Sequence, residues 1–145
     1  MSERPRVLLA TPDPRERLRL LAALRDAFEL LPLSQGEDPM RATRAQRPAL
    51  VLLSVPRSHS QNTLRACRAI KTDAGSPPRV ALVDPGRRLH HPSQALEASL
   101  ADGYLGQELP DEELRAFVQQ VLAGERPVRE GPPPVRGLLD RLLGR

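Results

Sequence analysis

The stretch Pro48-Ala49-Leu50-Val51-Leu52-Leu53-Ser54-Val55-Pro56 is an apolar run framed by two prolines. It is too short for an ordinary helix and rich in branched side chains, so it predicts a strand buried on both faces, as in the middle of a parallel sheet. Two runs of the same kind, Arg6 to Ala10 and Arg79 to Val83, lie on either side of it in the chain, with helical patterns between. That alternation predicts a doubly wound α/β domain, with any site at the carboxyl ends of the central strands. Those ends carry Thr11-Pro12, Ser54 and Val83. None of these side chains is a charged metal ligand.

Working outward, the turn after the first strand is well specified. Asp13 can cap a helix whose first residue is Pro14, with Glu16 completing an Asp-x-x-Glu capping box. The helix is expected to run to about Phe28, burying Leu18, Leu21, Ala22, Leu24 and Phe28. Glu29 to Ser34 reads as an edge strand, because Pro32 lacks the backbone donor a central strand needs. Asp38-Pro39 repeats the cap-then-proline device for a short helix to about Gln46. After the central strand, Gln61 to Thr72 forms a third helix burying Leu64, Cys67, Ala69 and Ile70 or some subset of them. Arg79 to Val83 is the fourth strand, followed by the long loop Asp84 to Pro92 and a short helix over Ser93 to Leu100. Asp102 to Gly106 is a fifth strand, and a last helix starts at Pro110-Asp111-Glu112-Glu113 and reaches Ala123, with acids at its positive end. Right-handed crossovers give the strand order 2-1-3-4-5.

The totals narrow the function classes. A chain of 145 residues fits one domain plus a tail. No apolar run approaches the ~18 residues of a membrane span, and Met1-Ser2-Glu3-Arg4-Pro5 has no signal-peptide character, so a cytoplasmic location is expected. The single cysteine, Cys67, has no internal disulfide partner, in keeping with a reducing compartment. The net charge of +4 is carried almost wholly by arginine, with Lys71 the one lysine, and it is dispersed. That is the pattern of GC-rich bacterial coding, and with aromatic residues at 2% the chain lacks stacking platforms for single-stranded nucleic acid.

Residues 124–134 read as a linker, stiffened by Pro127 and Pro132-Pro133-Pro134. Beyond it, 135–145 form an amphipathic tail in which Val135, Leu138, Leu139, Leu142 and Leu143 share one helical face, the spacing of a groove-binding helix. Five aliphatic side chains, each worth about 1.5 to 3 kcal/mol when buried, need a cover, either on this domain or on another protein.

Over residues 5 to 123 the chain resembles the receiver domain of two-component response regulators. Arg6-Val7-Leu8-Leu9-Ala10-Thr11-Pro12-Asp13-Pro14 is similar to the first strand and acidic turn, Arg47 to Val55 to the phosphoacceptor strand, and Ala101-Asp102-Gly103-Tyr104-Leu105-Gly106-Gln107 to the A-D-x-Y-L-x-K segment. The resemblance implies a flavodoxin-like, CheY-like fold. It also implies that the phosphorylation pocket is degenerate. In the family, two acids after the first strand and the acceptor aspartate hold magnesium; here those positions are Thr11, Pro12 and Ser54, and Asp13 is the acid left nearby. The hydroxyl residue ending the fourth strand is Val83, and the lysine that pairs with the phosphoryl group is Gln107. Every charged contributor to phosphoryl stabilisation is replaced.

The expected function is therefore a non-catalytic pseudo-receiver, a phosphorylation-independent protein interaction module in bacterial signalling, motility or polarity, with no cofactor. The alternative is an atypical response regulator still switched by a kinase; a DNA-associated regulator is a third reading, with no helix-turn-helix behind it. A protein partner is expected, through the tail or through Tyr104, the position of the family's switching aromatic; a half-buried strand tyrosine is the plainer reading of that residue. Pairing of two copies is a further implication of the family. Ser54 as a phosphorylated serine, Asp13 with Asp84 as a cation site, and His59, His90 and His91 as zinc ligands each have a simpler structural reading, since the histidines match no ligand spacing.

Overall fold

The computed structural model describes residues 4–34, 36–56, 58–73 and 75–130. The elements are β1 (Arg6–Ala10), α1 (Pro14–Leu24), β2 (Glu29–Pro32), α2 (Pro39–Gln46), β3 (Leu50–Ser54), α3 (Ser60–Thr72), β4 (Arg79–Val83), α4 (Pro92–Ser99), β5 (Gly103–Leu105), α5 (Asp111–Leu122) and β6 (Val128–Arg129). The sheet is parallel throughout, in the order β2-β1-β3-β4-β5-β6. The expected order holds for the first five strands. A sixth is added where the sequence predicts linker: Tyr104 N–H donates to the Pro127 carbonyl at 3.0 Å and Gly106 N–H to that of Arg129 at 2.7 Å. Those residues supply backbone only, so their side chains carry no strand signal.

Strand alternation sends side chains to two layers. Val7, Leu9, Leu50, Leu52, Ala81, Val83 and Leu105 face α1 and α5, while Leu8, Ala10, Val51, Leu53, Val80, Leu82 and Tyr104 join residues of α2, α3 and α4. β3 is buried along Leu50 to Leu53, as a central strand of a covered sheet must be.

α1 ends at Leu24 and its inward stripe is Leu20, Ala23 and Leu24. The expected burial of Leu18 is corrected: it is 67% exposed. At 100° per residue Leu18 lies about 200° from Leu20, and packing on β1 and α5 selects the Leu20 side. One turn before Leu20, on that same inward side, is Glu16.

At the opposite end of the sheet from the strands' carboxyl ends, Asp102 binds β4 to β5. Its Oδ2 accepts from Lys71 Nζ and from Val80 N–H, both at 2.8 Å, and Oδ1 lies 3.4 Å from an Arg79 guanidinium nitrogen. No helix among the described residues is long and apolar enough to cross a membrane.

Candidate functional site

The loops following β1, β3, β4 and β5 form a crevice at the carboxyl edge of the sheet. Asp13 caps α1, Oδ1 accepting from Arg15 N–H at 3.1 Å. The box expected with Glu16 does not close. Ser54 Oγ instead donates to Glu16 Oε1 at 2.6 Å, across from the end of β3 to the first turn of α1. Burial raises the Glu16 carboxyl above its ordinary value; the Ser54 hydrogen bond opposes this, the nearby charge of Asp13 adds to it, and Arg88 opposes it. Thr11 is buried beside this pair, and Pro12 is exposed.

This bridge divides the crevice. On one side is a cavity of about 260 Å³ lined by Asp13, Glu16, Val83, Gln107 and Glu108 with Arg15 and Arg19. On the other, over β1 and β3, is a cavity of about 740 Å³ whose walls include Thr11, Pro12 and Ser54. Val83 is packed in the core, and Gln107 is half-buried.

Asp84, weighed from the sequence as a cation ligand with Asp13, is fully buried. Its carboxylate accepts from Arg88 N–H at 2.8 Å, Leu89 N–H at 3.0 Å and Tyr104 Oη–H at 2.7 Å. It thereby organises the loop after β4 and places Arg88, whose guanidinium donates to the Val55 carbonyl at 3.2 Å. Tyr104 is 0% exposed, so the expectation that it contributes to a partner surface, or is half-buried, is corrected. Burial and then the Asp84 hydrogen bond raise its phenol well above the ordinary range. Gly106 makes this inward pose available. A Cβ there would stand 2.6 Å from Tyr104 Cε2 and 2.9 Å from its hydroxyl oxygen.

Of the carboxylates at or near the crevice, Glu37 and Glu108 are exposed, and the other three are engaged. Asp13 caps a helix, Glu16 is tied to Ser54 with its ionised form disfavoured, and Asp84 is saturated by three donors. A hard divalent ion asks for free carboxylate oxygens; this donor set does not suit it. Among the described residues no group of three or more His, Cys, Asp or Glu is placed to hold a metal ion, and His59, His90 and His91 are exposed. Sequence reading gave Glu16 a capping role and Asp84 no part in holding the loop, and it missed Arg88. The position of Glu16 one turn before Leu20 is the signal that could have shown its inward place. The tail residues Val135, Leu138, Leu139, Leu142 and Leu143 lie outside the described residues.

No family model matches the sequence, and no curated protein matches it. Solved structures do match. A putative response regulator from Chloroflexus aurantiacus is similar with a TM-score of 0.71 at 17% identity, covering 83% of this chain and 99% of its own. The signal receiver domain of a putative Luxo repressor protein from Vibrio parahaemolyticus gives 0.62 at 17% identity over 99% of both chains. The receiver domain of a sensor histidine kinase from Pseudomonas aeruginosa, with a magnesium ion coordinated in its active site cleft, gives 0.65 at 19% identity, covering 83% of this chain and 99% of its own. At these identities the likeness is one of fold: this chain has the receiver-domain architecture.

Proposed function

We propose that this chain is a pseudo-receiver, a receiver-type fold used as a phosphorylation-independent protein interaction module in bacterial signal transduction, motility or polarity. The reading rests on Ser54. It stands at the carboxyl end of the central strand, where the receiver resemblance puts the acceptor aspartate, and its hydroxyl is committed to Glu16 at 2.6 Å. A serine cannot form the reactive acyl phosphate that an aspartate forms.

The surroundings support the same reading. Stabilising a phosphoryl group depends on positioned positive charge and a metal. Val83 and Gln107 offer neither, and Thr11 and Pro12 bring no carboxylate to hold the ion that the Pseudomonas domain carries. Tyr104, at the position of the family's switching aromatic, is closed inward on Asp84. A surface that does not respond to phosphorylation is then what the fold has to offer a partner. We take the protein to be non-enzymatic and cytoplasmic, with the amphipathic segment Val135 to Leu143 as a docking element and pairing of two copies open to it.

The test is incubation of the full chain with magnesium and acetyl phosphate, or with beryllofluoride, read by intact mass and by amide shifts. Unchanged mass and spectra are expected. A hydroxylamine-labile phosphoryl adduct overturns the reading. The docking element is tested separately by partner capture with the full chain and with its Leu138→Asp, Leu142→Asp variant. Equal recovery removes the tail from the proposal.

A further inference from the structure

The cavity of about 740 Å³ lies within the size range of small-molecule pockets and opens between α1, α2 and α3. Its walls are mainly aliphatic, from Leu18, Leu33, Leu53 and several prolines. Leu18 is the most exposed large hydrophobic residue among those described, at 67%, and it lies on this cavity. A leucine in that place gains nothing from the fold and would gain from a covering molecule.

Among the described residues, the walls carry one cationic side chain, Arg17, and one acid, Glu37. Arg17 lines the cavity, and its guanidinium has no side-chain partner among the described residues. Asn62 and Thr63 come from the first turns of α3; Asn62 N–H donates to the His59 carbonyl at 2.9 Å and Thr63 Oγ1 to the Ser54 carbonyl at 3.4 Å, but His59 makes no capping bond through its side chain and the first turn holds no acid, so the positive end of the helix dipole is unneutralised there. Thr11, in the same wall, carries the one buried side-chain polar atom of the described residues without a hydrogen-bond partner, its Oγ1. On the acidic side, Glu37 already accepts from Ser34 N–H at 3.1 Å. Asp13, Glu16 and Glu108 line the smaller cavity, beyond the Ser54–Glu16 bridge.

We propose that this cavity binds a small amphiphile with an aliphatic body and a single carboxylate head. The body lies against Leu18, Leu33 and Leu53. The head is held by Arg17 and the side-chain amide of Asn62, at the positive end of α3. The proposal rests on these wall residues and not on the interaction role proposed above.

The test is a titration of isotope-labelled full chain with decanoate below its micelle concentration, with decanol as the neutral comparison, read at leucine methyls. Decanoate is expected to bind saturably, shifting Leu18, Leu33 and Leu53. Leu18→Asp should weaken it at least tenfold, and Arg17→Gln roughly fivefold for decanoate with decanol unchanged. Leu18 is exposed and Arg17 half-buried, and unaltered melting of the variants verifies folding. Non-saturable shifts spread over the surface, or affinities indifferent to both substitutions, overturn the proposal. So do methyls that shift without ligand when Leu138 and Leu142 are replaced by aspartate, which would place the chain's own tail in the cavity.

Discussion

Removing one oxygen atom, by Tyr104→Phe, tests how the loop after β4 is held. The phenol is fully buried and donates to Asp84 Oδ2 at 2.7 Å; the other two donors to that carboxylate are the backbone amides of Arg88 and Leu89. A hydrogen bond to a charged group contributes about 1.5 to 3 kcal/mol, and a buried acceptor that loses it keeps its desolvation cost. With two donors remaining, a loss of about 2 kcal/mol is expected. That is roughly 6 °C in Tm for a domain of this size. Urea melts should show a lower midpoint at unchanged slope, since the surface exposed on unfolding is the same. Because the folded phenol titrates above its unfolded value, its contribution is complete below about pH 10 and fades as the pH rises through the folded value. The gap between the two proteins should therefore be constant from pH 7 to 9 and narrow above pH 10. A double-mutant cycle with Asp84→Asn should return a coupling of about 1 kcal/mol or more. A Tyr104→Phe protein within about 0.3 kcal/mol of the parent at pH 7 would refute the assigned bond.

Glu16→Gln keeps an acceptor for Ser54 and removes a partly buried charge. Since burial raises the Glu16 carboxyl above 4.5, the parent's penalty sets in as the pH rises past the unfolded value, so the variant should melt higher at pH 8 and equally at pH 3.5; a lower melt at pH 8 would contradict this. Gly106→Ala places a methyl 2.6 Å from the Tyr104 ring and should cost about 1 to 3 kcal/mol, most of it recovered in a Tyr104→Ala background; equal costs in both backgrounds would exclude the steric account. Asp102→Ala leaves Lys71 Nζ and Val80 N–H without their carboxylate and should cost about 3 to 5 kcal/mol by urea denaturation, against a fraction of that for Arg44→Ala at the exposed Asp73 pair.

The amino-acid sequence by itself determined the parts of this protein that depend on neighbours within a few residues. The apolar runs of β1, β3 and β4, the Asp13-Pro14 and Asp38-Pro39 helix starts and the alternation of strand and helix are short-range patterns, and with right-handed crossovers they lead to the order of the first five strands. The replacement of acids by Thr11, Pro12 and Ser54 is likewise a matter of residue identity. Tertiary structure alone decided which face of α1 turned inward, because Leu18 and Leu20 are equal claimants until α5 packs against one of them. It decided that Glu16 would leave its capping box for Ser54, 38 residues away, and that Tyr104 would close over Gly106 onto Asp84. It also turned two residues of an apparent linker into β6 by backbone hydrogen bonds to β5. The physical reason is common to these cases: a hydrogen bond or packing contact between distant segments leaves no periodic trace in either one, and its energy exists only once the sheet has brought them together.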